Sequence, residues 1–280
     1  MMVRLRGTIG ALVLLAACGG GDQAPGPIPQ VAGVYTGLWS LAVENDRVSC
    51  PAALTIRDQT DSVFATTFEV LRRDAPGLGC VDIIQDGAGI ARATRTVTAL
   101  AELVEPVTCT LKEPNRGLSG PVAGDSIVLA GRYTYECAQD YTWTFRFAGR
   151  TTAGPLPSYP DVRGTFGGTW TTVAAGMQVT CPVAVALATQ ARDQVAGSYT
   201  LGQAGTCAAQ PAAVLSGVVT IDGVLTVSGT PPVPAGCTVQ QGLALSGDAT
   251  GGALDLAGAY ALVCAGSLRE IGVLLSATRT

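Results

Sequence analysis

The chain has 280 residues, room for two ordinary domains, and its 48% hydrophobic and 14% charged composition excludes general disorder. The formal net charge is -4 and no basic block stands out, so electrostatic capture of nucleic acid has no support. Histidine is absent, which removes Ser-His-Asp and Cys-His catalysis and histidine metal ligation.

The front of the chain carries Arg4 and Arg6 and then a short apolar run, Ile9 to Ala17. A bilayer span needs roughly 20 apolar residues, so this run reads as a secretory signal peptide over residues 1–17. Its end, Leu15-Ala16-Ala17-Cys18, resembles the lipobox of bacterial lipoproteins. The resemblance implies a diacylglycerol on the Cys18 thiol, cleavage just before it, and acylation of the new amino group. Each buried lipid CH2 contributes about 0.8 kcal/mol, so two or more chains anchor stably. Gly19, where an aspartate would imply inner-membrane retention, points to the outer membrane. Residues 18–30 are rich in glycine and proline and read as a lipidated tether. Cleavage removes two of the 17 basic residues and leaves 15 against 21 acidic ones, a mature net charge of -6.

With Cys18 assigned to lipid, eight of the nine cysteines remain: Cys50, Cys80, Cys109, Cys137, Cys181, Cys207, Cys237 and Cys264. The first four map onto the last four at offsets of 131, 127, 128 and 127 residues. Gly33 to Trp39 lies over Gly164 to Trp170, and Leu129-Ala130-Gly131-Arg132-Tyr133 over Leu256-Ala257-Gly258-Ala259-Tyr260. This predicts a duplication, with one unit over residues 31–150, a linker over 151–161 and a second unit over 162–280. Export and four cysteines per unit predict two disulfides in each. Four cysteines allow three pairings, of which first with second and third with fourth is favoured. Zinc sites bring cysteines in close pairs, and the closest pair here is 26 residues apart, so no metal is expected.

Within each unit the apolar period is two. Ile127, Leu129, Tyr133 and Tyr135 alternate with Ser126, Arg132, Thr134 and Glu136, and Thr142, Thr144 and Arg146 alternate with aromatic residues. Turn signals such as Glu113 to Gly117 and Asp222-Gly223 separate the segments. The pattern predicts an all-β protein of two tandem, disulfide-bonded, antiparallel up-and-down barrels of about eight strands each, with β-sandwiches as the alternative. In a meander of this kind the cysteines of one unit cluster toward one end. Gly37-Leu38-Trp39 and Gly168-Thr169-Trp170 resemble the G-x-W that opens lipocalin and avidin-like barrels. That resemblance implies that Trp39 and Trp170 plug one barrel end and that the other end can hold a small apolar ligand. Lipocalin and avidin ligand signatures are otherwise not matched.

No catalytic residues and no cofactor are expected. Glu44, Asp46, Asp58 and Asp61 read as solvated turn residues, because the second unit puts Ala175, Met177, Thr189 and Arg192 at those places. The aromatic residues concentrate in the first unit and read as core. The sequence therefore predicts a non-enzymatic lipoprotein of the bacterial envelope, anchored in the bilayer through acylated Cys18, with a structural or interaction role toward an envelope protein. The alternative is lipocalin-like binding of a small hydrophobic ligand.

Overall fold

Burial alternates along the strands and sets the architecture. In β8 (Ser126–Glu136), Ile127, Leu129, Tyr133 and Tyr135 are buried while Ala130, Arg132 and Glu136 face water. Such a segment is stable only as a sheet with one covered face. The computed structural model describes residues 26–73, 79–100, 109–112, 117–205 and 207–280. Residues 1–25, with the expected export signal, Cys18 and most of the tether, lie outside the described residues, as does the expected turn at 113–116.

The first barrel is built from β1 (Gly33–Val43), β2 (Asp46–Thr60), β3 (Val63–Val70), β4 (Ile83–Arg92), β5 (Thr96–Leu100), β7 (Gly117–Ala123), β8 and β9 (Asp140–Arg150), preceded within the β5–β7 connection by the short β6 (Thr110–Leu111). Each strand pairs antiparallel with the next, and β1 closes on β9. The second barrel is β10 (Gly164–Ala174), β11 (Met177–Ala191), β12 (Gln194–Leu201), β13 (Gln210–Val219), β14 (Val224–Gly229), β15 (Cys237–Asp248), β16 (Ala253–Cys264) and β17 (Ser267–Arg279), closed by β10 on β17. Strand β6 pairs with β8 as the start of β15 pairs with β16, so β6 and β7 together match the single bulged β15. Closure excludes the sandwich alternative, because the first strand of each unit has a neighbour on both sides.

Closure explains the glycine of each G-x-W. A Cβ at Gly37 would stand 1.9 Å from the Ala148 carbonyl oxygen on β9, and one at Gly168 would stand 2.1 Å from that of Ser276 on β17. First and last strands approach only because this position has no side chain. Two residues on, Trp39 and Trp170 turn inward, opposite Cys50 and Cys181 in register.

The lead-in segments are clamped alike. The Gln59 amide donates to the carbonyls of Pro29 and Asp61 while its oxygen accepts from the Val31 N–H. Gln190 does the same with Pro160, Arg192 and Val162. Val31 and Val162 are thereby sunk into the two barrel cores, at 0% and 2% exposure.

Disulfides join Cys50 to Cys80, Cys109 to Cys137, Cys181 to Cys207 and Cys237 to Cys264, with separations of 30, 28, 26 and 27 residues. All four cysteines of a barrel lie toward the end that holds its first hairpin turn, opposite the end where the clamped lead-in arrives. Loop closure of this size stabilises by about 3.5 kcal/mol per bridge. The fold makes a direct expectation: Gly37→Ala or Gly168→Ala lowers stability by about 3 kcal/mol or more, since backbone has to move at the seam. Denaturant unfolding of either variant with a wild-type midpoint would contradict this account of closure.

Candidate functional site

The residues singled out on sequence are distributed as follows. Glu44, Asp46, Asp58 and Asp61 are exposed, and no metal-holding cluster occurs among the described residues. Trp39 and Trp170 occupy the seventh place of eleven-residue strands and lie in the two cores. Around Trp39 the aromatic rings touch one another: Phe68 at 5.0 Å and Phe145 at 5.4 Å, with Phe147 at 5.4 Å from Phe68. In the second barrel Trp170 stacks on Tyr199 at 5.0 Å, and the rest of the core is mostly leucine and valine with Phe166 and Tyr260.

The densest array of ionic contacts lies between the barrels. From the first barrel come Glu69 near the end of β3, Arg72 and Arg73 just beyond it, and Asp82 just before β4, all at the cystine end. The second barrel contributes Arg192 and Asp193 from the β11–β12 turn and Asp222 from the β13–β14 turn, at the end away from its cystines. Tyr159 comes from the linker. The barrels therefore meet head to tail.

Arg192 makes the central contact. Its guanidinium donates to both Asp82 oxygens at 2.7 Å and to Glu69 Oε1 at 2.6 Å. Its backbone φ is 56°, the left-handed conformation that tight hairpin turns adopt. Asp61 holds the matching turn of the first barrel at φ 52°. Arg72 Nε donates to Asp193 Oδ2 at 2.6 Å, and the Asp193 side chain is 3% exposed. Removing Arg72 strands a buried carboxylate, a loss of about 3 kcal/mol. Arg73 grips Asp222 with two nitrogens, at 3.0 and 3.1 Å. The Tyr159 hydroxyl accepts from the Arg72 N–H and donates to Asp82, and the Ile221 N–H donates to the Arg72 carbonyl.

The Cys50–Cys80 bridge supports this array from behind. Arg73 and Cys80 exchange backbone hydrogen bonds, and Arg73 also reaches the Ser49 carbonyl. A cleft of about 400 Å³ opens beside the contact, between Leu71, Tyr159, Arg163 and Arg192. Its charges are already satisfied, since Arg163 pairs with Asp161 and Arg192 with Glu69.

Burial opposes ionisation of Asp82, but hydrogen bonds from Arg192 and Tyr159 and the charge of Arg192 outweigh it and hold the carboxyl below its usual range. Burial, then the bond to Asp82, pushes the Tyr159 phenol up. The bond to Asp82 likewise raises Arg192, so all three keep their normal charges at neutral pH.

The sequence matches no family model and no curated protein. Solved structures that resemble the chain include two from bacteria. One is a DUF3598-family protein of unknown function from Nostoc punctiforme, at 9% identity over 89% of this chain and 96% of that one, TM-score 0.28. The other is the isotype 1 transferrin binding protein B of serogroup B Neisseria meningitidis, at 9% identity over 89% of this chain and 76% of that one, TM-score 0.26.

Sequence reasoning missed the junction. A partial signal was present: its charged residues are among those that the copies do not share. At the 131-residue offset Glu69, Arg72 and Arg73 face Thr200, Gln203 and Ala204, while Arg192 and Asp193 face Asp61 and Ser62. The free end of each barrel thus lacks the groups needed to repeat the contact. A head-to-tail interface that cannot be repeated stops at two units instead of growing into a filament.

Arg192→Asn suits the left-handed turn yet removes the cation from Asp82 and Glu69. Calorimetry of this variant is expected to show two separate barrel transitions where the parent shows one; a single unshifted transition would contradict the role assigned to Arg192. Because the Asp82 pKa is depressed, its contribution is complete above the ordinary carboxylate value of 3.8 and is lost as pH falls through the lower folded value. Coupling of the two transitions should therefore survive acidification to that value and fail only below it. Failure already near neutral pH would exclude Asp82 as the controlling group.

Proposed function

We propose that this protein is a lipid-anchored lipoprotein of the bacterial outer membrane. In this reading it is a non-enzymatic, rigid two-barrel spacer that presents its surface to an envelope component. The observation that carries the reading is the junction: closed barrels joined head to tail by charged residues that the duplication did not share. The four disulfides suit an oxidising, extracytoplasmic compartment. The lead-in segment arrives at the end of the first barrel opposite the junction, so the second barrel would stand away from the membrane. With strands of about eleven residues tilted as in small barrels, the rod would reach roughly 55 Å.

Ligand carriage in the manner of lipocalins has less support. The rings that would line an aromatic pocket in the first barrel are in contact with one another. Anchoring is tested by intact-mass analysis of the exported chain. The expected product begins at Cys18 and carries fatty-acid adducts, which the Cys18→Ala variant lacks. A parent chain processed elsewhere and free of adducts would overturn the anchor.

A further inference from the structure

Closure brings β8, β9, β1 and β2 side by side on one wall of the first barrel. Their outward positions gather arginines that are far apart in sequence: Arg47, Arg132, Arg146 and Arg150, all exposed. Among the described residues none of the four pairs with a carboxylate. The register fixes their spacing. Arg132 stands opposite Thr144, two residues from Arg146, a diagonal of about 7–8 Å. Arg146 stands opposite Ser40, which stands opposite Ser49, two residues from Arg47. That places Arg146 and Arg47 roughly 12 Å apart, and Arg150 lies roughly 13 Å from Arg146 along β9. The Ser40 and Ser49 hydroxyls, 2.8 Å apart, lie between the cations. Among the described residues the exposed carboxylates on these strands are Asp46, Asp58, Glu136 and Asp140, all within three residues of a strand end, and Asp140 already holds Lys112 at 2.7 Å.

The barrel does not need these charges. Aligned through the register, Arg47, Arg132, Arg146 and Arg150 correspond to Gln178, Ala259, Leu274 and Thr278 in the second barrel, which closes the same way without them. Positive charge also gathers here although the chain as a whole is acidic. We propose that this wall binds an acidic polysaccharide. Charge complementarity selects a polyanion, and guanidinium forks suit carboxylate, sulfate or phosphate groups. Apart from Arg57, which pairs with Asp86 at 3.1 Å, and carboxylates near the strand ends, the wall's other outward side chains are mostly small, aliphatic or hydroxyl-bearing, and none is aromatic. It therefore offers no aromatic platform on which nucleic acid bases would stack. It runs along the barrel side rather than across the end where the lead-in segment arrives. The assignment holds whether or not Cys18 is acylated.

Titration calorimetry of the full chain with heparin, a sulfated polysaccharide, tests the proposal. Binding is expected at about 50 mM salt and is expected to vanish near about 500 mM, as exposed charges become screened. Two variant pairs are expected to weaken it by about tenfold or more with unchanged melting. One is Arg132→Ala with Arg146→Ser. The other is Arg47→Gln with Arg150→Thr, copying residues that the second barrel already tolerates. Arg269→Ser, on the second barrel, should bind as the parent does. No heparin binding at low salt, or parental affinity in both pairs, would overturn the proposal. So would equal affinity for oligothymidylate or for phosphatidylglycerol vesicles.

Discussion

Hydrogen bonding between the first and last strands of each unit is the constraint on which everything else rests. An open eight-stranded meander would leave two strand edges free to pair with other chains. Closure removes both edges, and it needs Gly37 and Gly168, where neighbouring backbone occupies the space of a side chain. It also fixes which residues turn inward, which cysteines meet, and which turns form each end. The barrel ends and the outer wall are then defined surfaces, free to diverge without disturbing the core.

The copies diverged in core side chains, with Phe145 and Phe147 matched by Val273 and Leu275, and most consequentially on those surfaces. The clamp glutamines, the closing glycines, the inward tryptophans and the disulfide positions recur in both barrels. The junction charges and the arginine wall do not. Arg192 shows the logic most clearly, because its turn is inherited from a hairpin that carries Asp61 in the other copy. The inherited left-handed geometry projects a long cation from a tight turn into two carboxylates of the neighbouring barrel. A disulfide, Cys50–Cys80, stiffens the segment that supplies Arg72 and Arg73, so covalent and ionic constraints act on the same short stretch.

Much of the fold was legible in the sequence because it is encoded locally. Alternation at Ile127, Leu129, Tyr133 and Tyr135 marks a half-buried strand, and the matched cysteines and G-x-W glycines mark a duplication. The split of one stave into β6 and β7 was not legible, since the interruption has no counterpart in the second copy. Gln59 and Gln190 share the 131-residue offset, but a lone glutamine carries no pattern until its backbone partners are placed. The junction was hidden for a different reason. Arg192 and Asp82 are 110 residues apart, and complementarity across a contact has no sequence period. Arg47, Arg132, Arg146 and Arg150 were hidden likewise, because only closure makes β2, β1, β9 and β8 neighbours.

The ion pairs of Arg192, Arg72 and Arg73 across the junction require the two barrels to move as one body. Residual dipolar couplings of backbone amides, measured across both barrels in one weakly aligned sample, test this most directly. One alignment tensor fitting both barrels with equal magnitude is the predicted result. Two tensors of different magnitude, showing barrels that reorient independently, would contradict it.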